Sequence, residues 1–290
     1  MPRKLFIFGI GYVGCHLAEE LLRDGWHVAG TCRSPSKKEE LAERGIATTL
    51  FDGTHPAAQW QTVAADATHI LISVPPKENV DPVFKHHARD IVALKPQWIG
   101  YLSTTGVYGD HGGAWVDETA ETRTTSPRGT ARLAAEKMWL SLSPQAHIFR
   151  LAGIYGPGRS AIDNLYQGTA RNIVKDDHVF SRIHVADIVQ ALQASMQIPR
   201  PGRIYNIADD APSASSDVVE YAAKIIGLAA PPRIEAATAT LSETAKEFYE
   251  NNKRIKNDRL KTELGVHLKY PTYREGLRGI LARRSASSQS

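Results

Sequence analysis

Short apolar runs alternate with amphipathic segments through the first half of the chain. Runs of this kind, with few polar interruptions, are typical of strands that are buried on both faces of a parallel sheet. The pattern predicts strands at Lys4–Phe8, His27–Cys32, Ile46–Phe51, His69–Val74, Trp98–Ser103 and Ala146–Leu151.

Helical spacing fills the intervals between these runs. Leu17 and Leu21 recur on one face of a helix predicted between Gly14 and Arg23, and Gly25 marks its end. Further helices are expected at Ser36–Arg44, Val83–Leu94 and Pro127–Leu142. Regular alternation of strand and helix predicts an α/β fold, a doubly wound parallel sheet with helices on both faces.

The pattern loosens after residue 151. A strand running into a helix is expected at Ile183–Met196, a late strand at Arg203–Ile207 and a helix at Asp217–Ile226. Much of this half has to pack against the first half in order to bury its apolar residues. We therefore expect one domain at 1–150, to which parts of 183–210 return, and a smaller dependent subdomain over 151–290. The polar end at 283–290 is expected to be a disordered tail.

Composition and charge narrow the function classes. The chain has 290 residues, of which 42% are hydrophobic, and its two cysteines are too few for a disulfide framework or a structural zinc site. The formal charge of +4 is uneven, because residues 251–290 hold 10 Lys/Arg against 3 Asp/Glu, a balance of +7, and the first 250 hold 25 against 28, a balance of −3. No nucleic-acid-binding signature accompanies the basic end, so small anionic ligands are expected and nucleic acid is not.

The chain is expected to be cytoplasmic and to bind no membrane. Glycines interrupt the apolar run at the N-terminus, which fits a strand and turn better than a signal peptide. No run approaches the roughly 20 apolar residues that span a bilayer. No metal-binding spacing stands out among the 11 histidines.

A glycine-rich segment follows the first predicted strand. Gly9-Ile10-Gly11-Tyr12-Val13-Gly14 matches the pattern G-x-G-x-x-G and opens a helix, which is the context in which the pattern binds a dinucleotide. Gly9 permits the tight turn, Gly11 lets the backbone approach a pyrophosphate, and Gly14 lets helix and strand pack closely. The free N–H groups at the helix start favour phosphates. The alternative is an ordinary glycine-rich turn.

The end of the second strand favours NADP over NAD. NAD sites usually carry an acid there for the ribose 2′-hydroxyl, whereas this chain has Arg33 followed by Ser34. A planar guanidinium suits a 2′-phosphate. The alternatives are NAD as the cofactor and Arg33 as part of a solvated loop. Asp52, after the third strand, is expected either to accept from the adenine amino group or to act only in a turn.

Four segments make the chain resemble the extended short-chain dehydrogenase/reductase superfamily, which includes the NAD-dependent epimerases and dehydratases. They are GIGYVG at 9–14, STTGVYGD at 103–110, RLAGIYGPGR at 150–159 and RIHVADIV at 182–189. The stretches at 248–265 and 270–277 also look like that superfamily, most of all its atypical YeeZ-like branch. The resemblance implies a Rossmann-type sheet and a small C-terminal substrate-binding part, and members of the superfamily commonly form homodimers.

The resemblance also implies a catalytic Ser or Thr, a Tyr, and a Lys four residues after the Tyr. Thr104 matches the first position, but Arg128 stands at the Tyr position and Arg132 at the Lys position. An arginine stays protonated and cannot exchange a proton as a tyrosine does. Arg128 is expected to stabilise an oxyanion or hold an acidic group, and Arg132 to bond a ribose hydroxyl, with a solvated helix start as the alternative for both. Tyr108 is a further catalytic candidate, although this tyrosine is usually structural in the family.

More site residues are expected where strands end at the carboxyl edge of the sheet, since ligands of such folds bind there. For the cofactor these are Val74, Pro75 and Ser103. For the substrate they are Tyr155, Arg159 and Arg182. The resemblance adds Asn252 and Lys253, which fall where members of the family often place substrate or cofactor contacts, with a solvated helix face as the alternative. Together these features predict an NADP-dependent oxidoreductase or epimerase-like enzyme for a small substrate, and the basic balance favours an anionic one. The alternative is a dinucleotide-binding sensor or partner-binding protein without dehydrogenase turnover.

Overall fold

A computed structural model describes residues 3–77 and 79–287 of the chain. Its strands are β1 (Lys4–Phe8), β2 (His27–Cys32), β3 (Ala47–Leu50), β4 (His69–Ile72), β5 (Trp98–Thr104), β6 (Trp115–Val116), β7 (Ala146–Leu151), β8 (Gly153–Tyr155), β9 (Asn172–Val174), β10 (Arg182–His184), β11 (Ile204–Ile207), β12 (Arg233–Glu235) and β13 (Arg254–Ile255). Its helices are α1 (Tyr12–Arg23), α2 (Pro35–Glu43), α3 (Trp60–Val63), α4 (Pro82–Ala93), α5 (Pro127–Leu142), α6 (Ala161–Tyr166), α7 (Val185–Gln197), α8 (Ser215–Ile226), α9 (Glu243–Glu250), α10 (Asp258–Leu264) and α11 (Tyr273–Ser287).

Within this described part, the main sheet has seven strands in the order β11-β7-β5-β4-β1-β2-β3. Strand β1 lies in the interior and pairs in parallel with β2 on one side and with β4 on the other. The chain thus builds outward from β1 through β2 and β3, then returns to build outward again from β4. This change of direction is the switch point at which doubly wound sheets bind ligands, and the predicted fold class is confirmed.

Aromatic residues fill the core beside the sheet. Phe6 and Phe8 of β1 are fully buried, and their ring centroids lie 4.9 Å apart in an edge-on arrangement. Trp60 of the short helix α3 closes over Phe8, with the centroids 5.1 Å apart. The sequence pattern did not predict α3, because a helix of one turn has no periodic apolar face.

Two compact units make up the chain. The first contains residues 1–107, 127–150 and 189–205, and the second contains 108–126, 151–188 and 206–290. The segment 108–126 therefore belongs with the second unit and not with the first, where the sequence boundary at residue 150 put it.

The second unit has an apolar cluster of its own. Tyr155, Ile162, Ala222, Tyr273 and Leu277 are buried together there. Its members come from segments far apart along the chain, so no local periodicity predicts it. Three short parallel strand pairs, β8 with β10, β9 with β12 and β6 with β13, complete this unit.

The C-terminal segment differs from the expected disordered tail. Helix α11 continues to Ser287, while residues 288–290 lie outside the described residues. Arg284 explains the order, because its guanidinium lies 3.0 Å from Asp163 Oδ1 and stacks 4.5 Å from the ring centroid of Tyr166. Among the described residues, no helix is both long and apolar enough to cross a bilayer.

Candidate functional site

The glycine-rich loop connects β1 to α1 and is tied to the neighbouring strand. The Gly9 N–H donates to Thr31 Oγ1 at 2.8 Å, and the Ile10 N–H donates to the Thr31 carbonyl at 2.8 Å. Gly9 has a φ of +85°, and a Cβ added there would lie only 2.8 Å from Val74 Cγ2. Both the backbone conformation and the close approach of the segment after β4 therefore require glycine.

The other two glycines have different surroundings. A Cβ on Gly11 would meet no described atom within 4 Å, so open space lies above the loop at that point. A Cβ on Gly14 would lie 3.5 Å from Ile7 Cγ2, which shows that α1 packs directly on β1. Tyr12 packs edge-on against the ring of His16, and Val13 is buried. The first turn of α1 carries no acidic residue to compete for its positive dipole end.

This loop fits the pyrophosphate of a dinucleotide. The tight turn, the open space and the helix start occur in the order that the binding mode requires. The tight turn expected at Gly9 is present, and the expected contacts of Gly11 and Gly14 with a bound dinucleotide stay predictions.

The end of β2 presents an arginine to solvent. Arg33 is exposed and lies two residues beyond Thr31, which is bonded to the glycine loop. Ser34 precedes α2 and caps it, because its hydroxyl oxygen accepts from the Lys37 N–H at 3.3 Å. Lys37 itself forms an ion pair with Glu40 at 2.7 Å. Ser34 and Lys37 thus serve α2, and a phosphate contact of Arg33 stays a prediction.

Asp52 has the turn role that was one of its two expected roles. Its Oδ1 accepts from the Thr54 N–H at 2.8 Å and from the Thr54 hydroxyl at 2.6 Å. These two bonds hold the pKa of Asp52 below its usual value. Contact with an adenine amino group stays a prediction, as does a cofactor contact of the exposed Pro75.

The Ser103 side chain is part of a buried cluster with two charged residues. Its hydroxyl donates to Glu136 Oε1 at 2.5 Å. Arg150 binds the same carboxylate through Nε and Nη2, the latter at 2.7 Å from Oε2, and all three residues are buried. The Ser103 hydroxyl thus bonds a partner on α5, and its expected cofactor contact stays a prediction.

Thr104 is the last residue of β5, and Arg132 of α5 contacts the same strand near that end. The half-buried Thr104 accepts the Gly106 N–H at its Oγ1 at 3.1 Å, so its own hydroxyl proton can still be donated. The Arg132 guanidinium donates to the Leu102 carbonyl and lies 5.7 Å from the ring centroid of Tyr101. Arg132 is therefore fixed at the strand end and is not a solvated side chain. Arg128 is exposed one turn earlier on α5.

Tyr108 has a structural role within the second unit. It is fully buried, and its hydroxyl donates to Asn206 Oδ1 at 2.7 Å. A catalytic role for Tyr108 is therefore not supported, since its hydroxyl is already bonded inside the protein.

Three arginines line a cavity of about 540 Å³ in the second unit. They are Arg159, Arg171 and Arg182, and no acidic residue belongs to the described lining. Arg182 donates to the carbonyls of Phe180 and Ser213, both at 2.9 Å, which fixes its guanidinium. We call this cavity the arginine pocket.

Tyr155 forms part of the arginine-pocket wall. Its hydroxyl donates to the Thr272 carbonyl at 3.3 Å, and its ring meets the ring of His184 edge-on at 5.2 Å. The pocket thus contains the predicted residues Tyr155, Arg159 and Arg182, and adds Arg171, for which no sequence signal exists.

A buried carboxyl lies beside Arg182. The Asp209 N–H donates to the Arg182 carbonyl at 2.7 Å, and the Asp209 side chain is 1% exposed. Burial raises the pKa of Asp209 to about 8, although Arg182 acts in the opposite direction. Burial therefore favours the protonated form of Asp209 at neutral pH, and in that form Asp209 would leave the Arg182 charge uncompensated and would favour an anionic ligand in the arginine pocket.

Asn252 and Lys253, the last two predicted substrate residues, differ in role. Asn252 is anchored by the protein: its N–H donates to Asp110 Oδ1 at 2.7 Å and its side-chain amide to the Asp177 carbonyl at 2.8 Å. Lys253 is half-buried, and burial lowers its pKa to about 8. Neither residue lines the arginine pocket.

Comparison with known proteins identifies the family. The sequence profile of the NAD dependent epimerase/dehydratase family matches residues 5–208. The chain belongs to the NAD-dependent epimerase/dehydratase family. It is 27% identical over 281 residues to Protein YeeZ of Escherichia coli (strain K12), a match that covers 93% of this chain and 97% of YeeZ.

Solved structures share the fold. A functionally unknown conserved protein from Silicibacter pomeroyi DSS is 45% identical, with a TM-score of 0.90 over 97% of this chain and 99% of that chain. The dTDP-glucose 4,6-dehydratase from Bacillus anthracis str. Ames, solved in complex with NAD, is 16% identical, with a TM-score of 0.79 over 99% and 98% of the two chains. The second likeness shows a common fold alone.

Proposed function

We propose that this member of the epimerase/dehydratase family is an NADP(H)-dependent oxidoreductase or epimerase-like enzyme that acts on a small anionic substrate. One observation carries the proposal. The glycine loop is bonded through Gly9 to Thr31, and the exposed Arg33 follows on the same strand end, where no acidic residue stands. The loop would hold the pyrophosphate and Arg33 would bind the 2′-phosphate.

When bound, the nicotinamide would supply hydride transfer. The residues near the end of β5 would bind the substrate oxygen and stabilise charge on it. Thr104 would donate its hydroxyl proton to that oxygen and so orient it. The cationic Arg128 would stabilise negative charge that develops there, since it cannot release a proton at working pH. Arg132 uses one N–H on the Leu102 carbonyl and retains other donors for a ribose hydroxyl.

The arginine pocket, which lies within the second unit, would bind a small anionic group. A guanidinium fixed by backbone carbonyls, as Arg182 is, loses little rotamer freedom when an anion binds. Burial favours the neutral form of Asp209, and in that form the carboxyl would not neutralise the Arg182 guanidinium. Basic residues 251–290 add to the positive field of the chain.

A dinucleotide-binding sensor without turnover is the alternative, and family membership does not favour it. The NAD found with the Bacillus anthracis dehydratase supports a nicotinamide cofactor and does not distinguish NADP from NAD. A homodimer and a cytoplasmic location stay predictions.

Cofactor-induced stabilisation followed by a substrate screen tests the proposal. NADPH should raise the melting temperature more than NADH at equal concentration, because only NADPH carries the 2′-phosphate. Carbonyl compounds and sugar nucleotides that bear anionic groups should then include one that the protein converts, with net NADPH oxidation for a reductase and with an isomeric product but no net cofactor consumption for an epimerase-like enzyme. A larger effect of NADH would contradict the role of Arg33, and tight NADPH binding with no turnover on any such compound would favour the sensor.

A further inference from the structure

The Arg182 guanidinium keeps two hydrogen-bond donors that the chain does not use. Its Nη1 atom donates to the carbonyls of Phe180 and Ser213, both at 2.9 Å, and its Nη2 atom donates to the Ala214 carbonyl at 3.4 Å. A guanidinium has five N–H donors, so three are engaged. The Nε donor and the second Nη2 donor remain, side by side, and we call them the open edge of Arg182. Nε does not belong to the buried unpaired atoms of the described chain, and Arg182 lines the arginine pocket, so the open edge is accessible to a ligand.

The carboxyl of Asp209, whose N–H bonds the Arg182 carbonyl, does not occupy this edge. Asp209 Oδ1 accepts the Ala211 N–H at 3.2 Å, and Oδ2 has no hydrogen-bond partner within residues 3–77 and 79–287. The described lining of the pocket contains no Asp or Glu either. A ligand must therefore supply the acceptors, and the two oxygens of a planar carboxylate match two donors on one edge of a guanidinium.

Apolar side chains make up much of the remaining wall of the pocket. Val219 of α8 and Tyr273 and Leu277 of α11 line it and are buried. Tyr273 and Leu277 also belong to the apolar cluster of the second unit, and Val218, another lining residue, packs against that cluster. The wall is thus part of a packed core that is already in place before a ligand binds, which limits the entropy lost on binding.

Two of the hydroxyl groups that line the pocket are engaged by the protein. Ser160 Oγ donates to Asp163 Oδ2 at 2.6 Å and accepts the Asp163 N–H at 3.2 Å. Thr169 Oγ1 donates to the Asn164 carbonyl at 3.4 Å. A polyhydroxylated ligand loses free energy when its hydroxyl groups leave water without gaining new partners. The lining therefore favours a ligand that has an anionic head and an apolar body.

We propose that the arginine pocket binds a carboxylic acid with an apolar body, its carboxylate on the open edge of Arg182 and its body against the wall that contains Leu277. Each donor of the open edge then bonds one carboxylate oxygen, a bidentate arrangement. The exposed Arg159 and Arg171 add positive charge to the lining. The inference rests on the function proposed above and narrows its substrate from a small anion to an amphiphilic acid.

Calorimetric titration of the full-length protein without cofactor tests this assignment with acetate, butyrate, hexanoate and octanoate. The Kd should fall about threefold to fourfold for each added methylene group, which is the effect of burying that group in apolar surroundings. Hexanamide has the same body without the charge, and it should bind about tenfold or more weakly than hexanoate. UDP-glucose, which is anionic and polyhydroxylated, should also bind more weakly than hexanoate.

Arg182→Lys keeps the positive charge and removes the open edge. It should raise the Kd for hexanoate about tenfold or more. Arg233→Lys, at an exposed arginine outside the pocket lining, should leave that Kd unchanged. If Arg182→Lys does not fold, Val218→Thr provides the second measurement. This variant adds a hydroxyl to the apolar wall and should weaken octanoate about threefold or more, while acetate is unaffected.

A Kd that is independent of chain length would overturn the proposal, as would equal binding of hexanoate and hexanamide, tighter binding of UDP-glucose, or unchanged hexanoate binding by Arg182→Lys. NADPH stabilisation of the wild type is measured separately. Its absence would count against the proposed enzyme and leave the acid titrations intact. Normal NADPH stabilisation without acid binding would count against the amphiphilic acid alone, so the two failures are distinguishable.

Discussion

The Gly9 amide nitrogen lies 2.8 Å from Thr31 Oγ1, and this bond joins the cofactor loop to the strand end that carries Arg33. The loop and the proposed 2′-phosphate site are therefore parts of one rigid arrangement. The side that approaches Val74 tolerates no added atom, while the side above Gly11 is open. Pre-organisation of this kind reduces the entropy lost when a ligand binds.

Gly9→Ala should abolish NADPH stabilisation and lower the free energy of unfolding by about 1–3 kcal/mol, because it combines a positive φ with a close contact. The matched control is Gly25→Ala. Gly25 has a φ of +76°, but a Cβ there would meet no atom of the described chain within 4 Å. The control should lose stability and keep its NADPH-induced shift in melting temperature. Loss of the shift in both variants would mean that general destabilisation, and not the loop, is responsible.

Arg33→Ser should raise the Kd for NADPH by about tenfold or more and leave the Kd for NADH nearly unchanged, since a charge-assisted contact to one phosphate is lost. Fluorescence titration of each cofactor measures both constants. Arg23→Ser, at the opposite end of α1, should affect neither. Parallel weakening of NADPH and NADH by Arg33→Ser would argue against a 2′-phosphate contact.

Glu136→Gln should destabilise the protein by about 3–5 kcal/mol, because it leaves the buried Arg150 without its counter-charge. Their side chains are 2% and 5% exposed, respectively. The control pair is Glu220 with Arg233, whose side chains are 33% and 65% exposed, and Glu220→Gln should change stability little. Denaturant unfolding of the two variants measures the difference. A small loss for Glu136→Gln would show that Ser103 and nearby groups can compensate for the missing charge.

Local features of the chain were predictable, and distant contacts were not. The glycine loop and the bounds of β1, β2, β7 and α5 follow from neighbouring residues, since turns, strands and helices depend on local pattern. The hydrogen bond of the Ser103 hydroxyl, in contrast, could not be predicted, because its partner lies 33 residues further along the chain. Only the folded chain shows such a partner.

The same limit applies to the second unit. Arg171 and Asp209 flank the predicted Arg182 from separate segments, and nothing near either residue indicates a site. Family resemblance located Arg182 and Tyr155, but the pocket around them depends on how α6, α8 and α11 pack. The local sequence pattern of this half therefore does not predict the cavity that the folded chain forms.

Asp209→Asn should flatten the pH dependence of stability between about pH 6.5, the usual histidine pKa, and pH 8. The folded-state pKa of Asp209 is raised to about 8 from 3.8. In this window the folded protein holds a proton on Asp209 that the unfolded chain has released. The contribution of Asp209 to the free energy of unfolding is therefore largest at low pH. It falls as pH rises, by up to about 1.4 kcal/mol per pH unit.

The buried histidines His69, His87 and His178 have lowered pKa values of about 4, so their contribution has the opposite sign. It is confined to more acidic pH, below the usual histidine pKa, which is why the window begins near neutrality. Denaturant unfolding at several pH values should give the wild type a steeper decline than Asp209→Asn, while Asp217→Asn, at the exposed start of α8, keeps the wild-type slope. Equal slopes for wild type and Asp209→Asn would mean that Asp209 is ionised at neutral pH. The Arg182 charge would then be neutralised internally, and the main electrostatic reason for an anionic substrate would be lost.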